Sequence, residues 1–296
     1  MTIDKLLSGV KKNILLKNYT TFRIGGRARY FFTAKTKDNL ISAVIAAKKI
    51  NLPFFVLGGG SNLLISDKGF KGLVIKILNI KYHILNTKIV AEAGVVLGQL
   101  VNASANAGLT GLEWATGIPG TVGGAVFGNV GWPNNKKNIS SVIEVVEVLE
   151  IKPKSKTKIR NYKSKDCKFG YRDSIFKRRK NLIILSVSLK LKKGNKKKIK
   201  KEISEIFKKR KEKIPGGFSA GSVFKNPTGF SAGQLIEKCG LKGKKIGGAE
   251  IPEKHANFII NSGSAKAKDV EKLINLAKKE VKNAFKIKLI EEIQIL

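Results

Sequence analysis

Residues 111–131 restrict the fold more than any other part of the chain, because seven of these 21 positions are glycine. Each glycine costs about 0.5–1 kcal/mol in the interior of a helix or strand, so the composition disfavours an amphipathic helix and a regular strand. The segment, GLEWATGIPGTVGGAVFGNVG, also has few Ser, Lys or Glu residues and many apolar ones, which indicates burial. We therefore expect a backbone that lies against a large flat cofactor, with a long flexible loop as the alternative.

The overall composition predicts a globular protein of about two or three domains. The chain has 296 residues, of which 42% are hydrophobic. Its first residues carry no apolar leader and no apolar run approaches the roughly 18 residues of a membrane span, so we expect a cytoplasmic protein without membrane insertion. Cys167 and Cys239 are far apart in sequence and are expected to be buried free thiols. With only His83 and His255 available, we expect no metal site.

The net charge of +37 raises the question of nucleic-acid binding. The excess is mostly lysine, is spread along the chain and has few interleaved aromatic residues. Lysine, isoleucine and asparagine are abundant together, which is typical of a compositionally biased genome. We therefore interpret the charge as surface lysine and expect no nucleic-acid partner. Attraction of anionic small molecules is the second interpretation.

Hydrophobic periodicity predicts alternating helices and strands. Helices are expected over 36–50, 97–107, 196–210, 231–239 and 269–285, and strands over 54–57, 73–77, 142–151, 182–191, 257–261 and 287–296. In the helix over 196–210 we expect four residues to face inward: Ile199, Ile203, Ile206 and Phe207. The IPGG sequence at 214–217 interrupts the pattern and predicts a domain boundary.

Four short segments contain residue types suited to chemistry. GGGSN at 58–62 is either an anion-binding nest or a tight turn; beside the glycine-rich segment it favours a dinucleotide held by loops. In AGSVFKNP (220–227), read as a strand, Ser222 shares a face with Asn226. In YRDSIFK (171–177), Arg172 is either a carboxylate clamp or a surface arginine beside Asp173. The terminal pair of glutamates would face opposite ways in a strand.

Together these segments resemble one family, UDP-N-acetylenolpyruvoylglucosamine reductase. The resemblance is ordered and covers nearly the whole chain. It rests on NYTTFRIGG (18–26), VLGGGSNLL (56–64), residues 111–129, YRDSIFK, AGSVFKNP, residues 232–261 and the closing EEIQIL. Only 49 residues separate Arg172 from Ser222, too few for the tyrosine-loop insert of the family's longer class, so the chain is similar to the shorter class.

The resemblance implies an α+β fold with a two-subdomain FAD-binding part of the vanillyl-alcohol oxidase and p-cresol methylhydroxylase type. A C-terminal α+β substrate-binding domain is expected after it. The boundaries expected are 1–80 and 81–205 for the FAD-binding subdomains, 206–286 for the UDP-sugar domain, and 287–296 for a terminal strand returning to the active site.

The resemblance also implies a reaction in two steps. NADPH, the co-substrate, reduces a non-covalent FAD. The reduced flavin N5 then delivers hydride to the enolpyruvyl CH2 of UDP-N-acetylglucosamine enolpyruvate. Protonation of the neighbouring carbon gives UDP-N-acetylmuramate, a peptidoglycan precursor needed for cell wall, cell shape and cell division. The expected enzyme is a cytoplasmic monomer.

Residue roles follow from the same resemblance. The catalytic residues implied are Ser222 as proton donor, Arg172 and Glu292; Glu292 rather than Glu291 is chosen because the family's glutamate precedes an aliphatic residue. The FAD-binding residues implied are Arg23, Gly58, Gly59, Gly60, Ser61, Asn62, Gly117, Ile118, Pro119, Gly120, Gly123, Gly124 and Asn129. The substrate contacts implied are Arg210, Lys213, Asn226 and His255.

Two departures from the family pattern and three alternatives remain open. His255 stands where the longer class commonly has glutamine, and Gln294 stands where the family usually has arginine. The nearest alternative is another FAD-dependent oxidoreductase of the same superfamily. The others are a binding protein that keeps FAD as a structural element, and a nucleic-acid-binding protein.

Overall fold

The structure is a computed structural model that describes residues 2–132, 137–152 and 157–296. Its helices are α1 (Ile3–Leu6), α2 (Lys37–Lys49), α3 (Leu97–Asn106), α4 (Val122–Phe127), α5 (Ile175–Arg178), α6 (Lys196–Lys213), α7 (Ala232–Lys238) and α8 (Ala267–Phe285). Its strands are β1 (Lys11–Leu15), β2 (Arg27–Ala34), β3 (Phe54–Leu57), β4 (Leu63–Leu64), β5 (Phe70–Ile77), β6 (Tyr82–Leu85), β7 (Lys88–Glu92), β8 (Leu109–Thr110), β9 (Gly131–Trp132), β10 (Lys137–Asn138), β11 (Ile143–Ile151), β12 (Thr157–Lys163), β13 (Leu182–Lys190), β14 (Lys192–Lys193), β15 (Lys245–Ile246), β16 (Ala249–Glu250), β17 (Ile260–Asn261) and β18 (Gln294–Ile295).

The chain divides into two compact units. The first unit consists of Met1–Lys11, Phe31–Gly59 and Gly72–Arg210. The second unit consists of Lys12–Tyr30, Gly60–Lys71 and Lys211–Leu296. Each unit is therefore assembled from three separate stretches of sequence. The four-part division expected from the sequence stays a prediction.

An antiparallel sheet of five strands, in the order β12-β11-β13-β7-β6, forms the centre of the first unit. Buried and less buried side chains mostly alternate along β13, as expected for a strand with one face on the core. Alternation along β11 is interrupted because its pairing with β13 shifts register twice, between Ile143 and Val145 and between Glu147 and Val148. Both strands begin and end within one residue of the positions predicted from sequence.

A second sheet, in the order β1-β2-β5-β3, brings the chain to the GGGSN sequence. Strand β3 coincides with the predicted 54–57 and pairs in parallel with β5, with Leu57 opposite Lys76. Strand β5 begins at Phe70, three residues before the predicted start. Helix α2 begins after Thr36, whose side chain accepts a hydrogen bond from the Asn39 amide.

The glycine segment, residues 111–131, contains more helix than its composition predicted. Thr121 caps α4 by accepting a hydrogen bond from the Gly124 amide at 3.3 Å, and the helix continues to Phe127. A short helix therefore forms where the composition disfavoured an amphipathic one, because one side-chain cap and tertiary burial outweigh the weak helix propensity of glycine. Trp114 is 1% exposed and Val122 is fully buried. Burial is not continuous, because Gly117, Pro119 and Gly124 are exposed.

The second unit has a core built around α8. Its buried face includes the five residues that the sequence predicted, Val270, Leu273, Ile274, Ala277 and Val281, together with Ala267. These residues pack in one cluster with side chains from distant parts of the sequence, among them Phe22, Leu64 and Phe224. Asp67 accepts a hydrogen bond from the Ala267 amide at 2.9 Å, which satisfies one of the free amides at the start of α8.

Several elements are shorter than predicted. The strand expected over 287–296 is limited to β18, which pairs in parallel with β4. The strand expected over 257–261 is limited to β17. Residues 220–227 form no strand; Ser222 and Phe224 take part only in isolated bridges, to Phe258 and Glu291.

Helix α6 is longer than predicted but buries less. Only Ile199 is buried, and Phe207, expected to face inward, is 55% exposed. Cys167 and Cys239 are free cysteines, as predicted, although Cys239 is only half-buried. Within the described ranges no helix is both long and apolar enough to cross a membrane. The same ranges contain no cluster of three or more His, Cys, Asp or Glu side chains able to hold a metal ion.

Candidate active site

Backbone-to-backbone contact joins two of the segments predicted to hold a cofactor. A Cβ added at Gly59 would lie 2.7 Å from the Cα of Gly120, and one added at Gly58 would lie 2.7 Å from Oγ1 of Thr121. Real Cβ atoms do not approach so closely, so only glycine allows the end of β3 to lie against this part of the glycine segment. Both contacts lie within the first unit. The glycines thus create a narrow backbone cradle.

A lysine that the sequence analysis did not single out supports the same cradle. Lys76 on β5 donates a hydrogen bond from Nζ to the carbonyl oxygen of Gly58. Burial lowers the pKa of Lys76. A charged residue in the apolar strand sequence LVIKI was the signal that could have identified it.

Arg172 lies in a tight turn, here called the arginine turn, residues 170–173. The amides of Gly170 and Asp173 each donate to the other's carbonyl oxygen, at 3.0 and 3.2 Å. Arg172 itself has a positive φ of 53°, a backbone conformation that costs a non-glycine residue about 1 kcal/mol. Asp173 forms an ion pair with Arg178.

The arginine turn is attached to the glycine segment on both sides. Asn129 donates from Nδ2 to the carbonyl oxygen of Gly170 at 2.8 Å, and its Oδ1 accepts from the Ser140 amide at 3.3 Å. Just after the turn, the hydroxyl of the fully buried Ser174 donates to the carbonyl oxygen of Phe127 at 2.7 Å. The backbone of Arg172 is therefore held between two fixed points.

Arg210, near the end of α6, also lies on the glycine segment. Its Nη2 donates to the carbonyl oxygen of Trp114 at 3.1 Å, and its Cζ lies 4.1 Å from the centre of the Trp132 ring. A Cβ added at Gly117 would be 3.3 Å from Cδ of Arg210. Burial, together with repulsion from Arg172, lowers the pKa of Arg210 to about 10. The first unit therefore brings two predicted ligand-binding arginines near each other.

These residues fit a large flat cofactor with a diphosphate. The cradle of Gly58, Gly59 and Gly120 leaves no room for side chains, and Gly117 and Pro119 expose backbone beside it. Backbone amides of a glycine-rich loop are donors that bind phosphate. Not every predicted glycine serves this surface. Gly123 is buried, and its amide donates to the carbonyl oxygen of Ala93 at 2.9 Å, so its role in the fold is helix packing.

In the second unit, Ser222 and Glu292 lie on adjacent chain segments. The Glu292 amide donates to the carbonyl oxygen of Val223 at 2.8 Å. On the other side, the Val223 amide donates to the carbonyl oxygen of Asn257 at 2.9 Å. The Asn257 side chain accepts from the Phe224 amide and donates to the Phe224 carbonyl, each at 2.9 Å. Asn257, which the sequence analysis did not single out, therefore fixes the backbone next to Ser222.

The two terminal glutamates have different surroundings. Glu291 accepts a hydrogen bond from Nζ of Lys278 at 2.7 Å. Partial burial opposes its ionisation, but the hydrogen bond and the charge of Lys278 outweigh that effect and the pKa of Glu291 is lowered. The carbonyl oxygen of Glu292 accepts from Nδ2 of Asn62 at 3.2 Å. Glu291 is thus engaged in a half-buried ion pair with Lys278, and the backbone of Glu292 is hydrogen-bonded to the predicted Asn62.

Two other predicted FAD contacts in the second unit have definite surroundings. A Cβ on Gly60, which has a φ of +67°, would lie 2.1 Å from the carbonyl oxygen of Tyr19, so only glycine fits. Thr21 joins this turn to the region before Ser222, because its amide donates to Gly60 at 3.2 Å and its hydroxyl donates to Ser219 at 2.7 Å. Arg23 is exposed and lies over the ring of Phe218 at 5.6 Å.

The predicted substrate contacts of the second unit lie around α7. Asn226 accepts a hydrogen bond from the Ala232 amide at 3.0 Å. His255 packs edge-on against Phe258, with ring centres 4.9 Å apart, and its Nδ1 accepts from the Asn257 amide at 3.2 Å. Burial lowers the pKa of His255, with Lys242 and Lys213 acting in the same direction. His255 is therefore neutral near pH 7.

The predicted residues thus fall into two groups. The first unit attaches the turn of Arg172 and the side chain of Arg210 to the glycine segment, which also lies against Gly58 and Gly59. The second unit brings Ser222, Glu292 and Asn62 together through backbone hydrogen bonds. The groups belong to different units.

Comparisons with known proteins now identify the family. A family model described as the C-terminal domain of UDP-N-acetylenolpyruvoylglucosamine reductase matches residues 213–296, and one described as an FAD binding domain matches residues 28–153. Together with the mixed sheets and helices, these matches confirm the predicted fold class, an α+β FAD-binding fold followed by a C-terminal α+β domain.

Relatives match almost from end to end. UDP-N-acetylenolpyruvoylglucosamine reductase of Caldanaerobacter subterraneus subsp. tengcongensis is 42% identical, with 99% of this chain and 97% of that protein covered. The protein of the same name from Clostridium novyi is 40% identical, covering 97% and 92%. A crystal structure of the reductase from Thermus caldophilus is 37% identical with a TM-score of 0.81, covering 97% of this chain and 98% of that one. The chain therefore belongs to the UDP-N-acetylenolpyruvoylglucosamine reductase family.

Proposed function

We propose that this protein is a UDP-N-acetylenolpyruvoylglucosamine reductase, an FAD-containing oxidoreductase of peptidoglycan precursor synthesis. The observation that carries the proposal is a relative of that name, 42% identical over 99% of the chain. The structure agrees with it, since Arg210 and the turn that carries Arg172 are both hydrogen-bonded to the glycine segment. The substrate is UDP-N-acetylglucosamine enolpyruvate, the product is UDP-N-acetylmuramate, and NADPH is the reductant.

FAD, when bound, supplies the hydride transfer between NADPH and the enolpyruvyl group. The first unit would hold it non-covalently with the cradle of Gly58, Gly59 and Gly120 and with the exposed backbone around Gly117. Lys76 fixes the carbonyl orientation of Gly58 and so helps to shape the cradle.

Arg172 stabilises the negative charge that develops on the substrate. Hydride addition to the enol ether moves charge into the adjacent carboxylate as an enediolate, which needs a fixed cation. The arginine turn provides one, because Asn129 and Ser174 hold its backbone before the substrate arrives. Preorganised charge of this kind is worth more than charge on a mobile side chain.

Ser222 donates the proton that completes the reaction. A serine hydroxyl is a feeble acid, but a carbanion is basic enough to take its proton when the two are held within about 3 Å. The clamp of Asn257 on Phe224 keeps the backbone beside Ser222 in place. Glu292 orients or polarises the enediolate, while Glu291 is held by Lys278.

Binding of the UDP-sugar falls to Arg210, Lys213, Asn226 and His255. The positive charges of Arg210 and Lys213 suit a diphosphate or a carboxylate. His255, neutral because burial lowers its pKa, acts as a hydrogen-bonding group rather than a charge. We place the reaction in the cytoplasm, carried out by a monomer, and expect its loss to impair cell shape and division.

The colour of the purified protein tests this function. We expect yellow protein, bleached by NADPH without oxygen and recoloured on addition of UDP-N-acetylglucosamine enolpyruvate. Bleaching without recolouring by the sugar nucleotide would overturn the reductase assignment. Oxygen consumption with a small alcohol would favour another oxidoreductase of the superfamily. An unbleached yellow protein would favour a binding protein.

A further inference from the structure

Trp132 holds one of the proposed substrate-binding arginines. Its ring is half-buried at the end of β9, and the Cζ atom of Arg210 lies 4.1 Å from the ring centre. A planar guanidinium at this distance from an indole gains cation–π and stacking energy. A hydrogen bond also fixes the guanidinium of Arg210. Arg210 donates to the carbonyl of Trp114, which is itself oriented by a hydrogen bond from its indole nitrogen to Gly111 at 2.9 Å.

The charge on Arg210 is uncompensated within the part of the chain that the structure describes. No carboxylate there forms an ion pair with it, and its Nε is buried without a hydrogen-bond partner. Burial and the nearby Arg172 both oppose its protonated state. Holding a desolvated cation near a second cation destabilises a protein unless an anion binds there. The arrangement therefore indicates a ligand with negative charge.

We propose that Trp132 is a positioning residue that stacks on Arg210, so that Arg210 and Arg172 present two adjacent cations to an anionic group of the substrate. The proposal deepens the proposed function and rests on it. Trp132 touches Arg210 rather than the substrate, so removal of its ring weakens binding of the sugar nucleotide. The rate of flavin reduction at saturating NADPH should keep its wild-type value.

Equilibrium binding of UDP-N-acetylglucosamine enolpyruvate to the oxidised holoenzyme tests the proposal. We expect Trp132→Leu to raise Kd about 5- to 30-fold, the range that a desolvated cation–π contact supports, and Trp132→Phe to raise it less. Tyr30→Leu is the matched control, since it removes another arginine–aromatic contact, that of Arg29 at 5.2 Å. It should leave Kd and flavin reduction unchanged. A Kd within twofold of wild type for Trp132→Leu would refute the proposal.

A double-mutant cycle separates positioning from general support of the fold. In an Arg210→Gln background, Trp132→Leu should cause little further loss, because the cation that Trp132 holds is gone. Additive losses would mean that Trp132 acts elsewhere. Visible spectra and flavin content should stay at wild-type levels in every variant, and a loss of flavin in Trp132→Leu would also count against the proposal.

A measurement independent of turnover keeps the two proposals distinct. The chain has two tryptophans, so the indole NH signal of Trp132 is assigned by its loss in Trp132→Phe. It should shift in Arg210→Lys and on addition of the sugar nucleotide. A wild-type holoenzyme that fails to reduce the sugar nucleotide would overturn the proposed function. An indole signal unmoved by Arg210→Lys would overturn the role of Trp132.

Discussion

Two neighbouring residues of the second unit have different proposed roles: Ser222 takes part in the reaction, and Asn257 fixes the backbone beside it. Ser222 is proposed to react, and the first prediction isolates that step. We expect Ser222→Ala to slow reoxidation of reduced enzyme by UDP-N-acetylglucosamine enolpyruvate about a hundred- to ten-thousand-fold, because a positioned acid contributes that much. Flavin reduction by NADPH should keep its wild-type rate. Stopped-flow absorbance measures both half-reactions, and slowed reduction with intact reoxidation would contradict the assigned role.

Asn257 has a structural role, because its side chain fixes the backbone of Phe224, close to Ser222. It makes two hydrogen bonds to Phe224 and is 5% exposed, so Asn257→Ala leaves a buried amide and a buried carbonyl without partners. We expect a loss of about 2 to 4 kcal/mol in the free energy of unfolding, measured by urea denaturation. The control is Asn275→Ala, at an exposed position on α8, which should change stability by less than about 0.5 kcal/mol. Equal effects of the two substitutions would contradict this account.

Among the elements, the cradle formed by β3 and the glycine segment has the strictest steric requirement. Gly59→Ala would place a Cβ 2.7 Å from Cα of Gly120, and such overpacking costs about 1–3 kcal/mol. We expect lower stability and weaker FAD retention. Gly98→Ala, in α3, meets nothing within 4 Å and should instead stabilise by about 0.5–1 kcal/mol. Thermal unfolding of the apoprotein measures the opposite stability changes of the two variants, and titration with FAD measures cofactor affinity. Unchanged stability and FAD affinity in Gly59→Ala would contradict the close packing described for the cradle.

Elements set by local periodicity could be predicted, and those set by distant partners could not. The apolar face of α8 and the bounds of β3 follow from residues adjacent in sequence. Strand β18 depends on pairing with β4, more than two hundred residues earlier, so an alternating pattern over 287–296 overstated its length. Helix α4 was missed because Thr121 caps a run that glycine propensity argues against.

The same distinction applies to the candidate site. Motifs identified Arg172, Ser222 and the glycine cradle, and their roles rest on the family resemblance. Trp132 and Asn257 were missed, because each acts through a backbone or side chain far away in sequence. No local pattern reports such contacts. Lys76, which is half-buried, was also missed but could have been found, since a lysine inside an apolar strand is visible in the sequence.

For the molecule as a whole, a net charge of +37 should accelerate the encounter with anionic ligands. We expect the second-order rate constant for flavin reduction by NADPH to fall about tenfold or more between about 10 mM and 300 mM salt, because screening shortens the reach of the field. The added salt should be the chloride of a bulky organic cation. Reoxidation by oxygen, a neutral molecule, is the control. A salt-independent constant for NADPH would mean that the lysines have no steering effect.

The attachment of the arginine turn to the glycine segment has a consequence for communication inside the first unit. Hydrogen bonds of Asn129 and Ser174 attach the turn to the glycine segment. A ligand that reduces the backbone motion of the segment should therefore also reduce that of the turn. Saturation with FAD should slow amide hydrogen exchange at residues 170–174, none of which is a proposed cofactor contact. Protection confined to residues 111–131 would show the two to be independent. Slower exchange in both segments would show that FAD loading and the rigidity of the arginine turn are thermodynamically linked, so that bound FAD adds to the restraint that Asn129 and Ser174 already place on the backbone of Arg172.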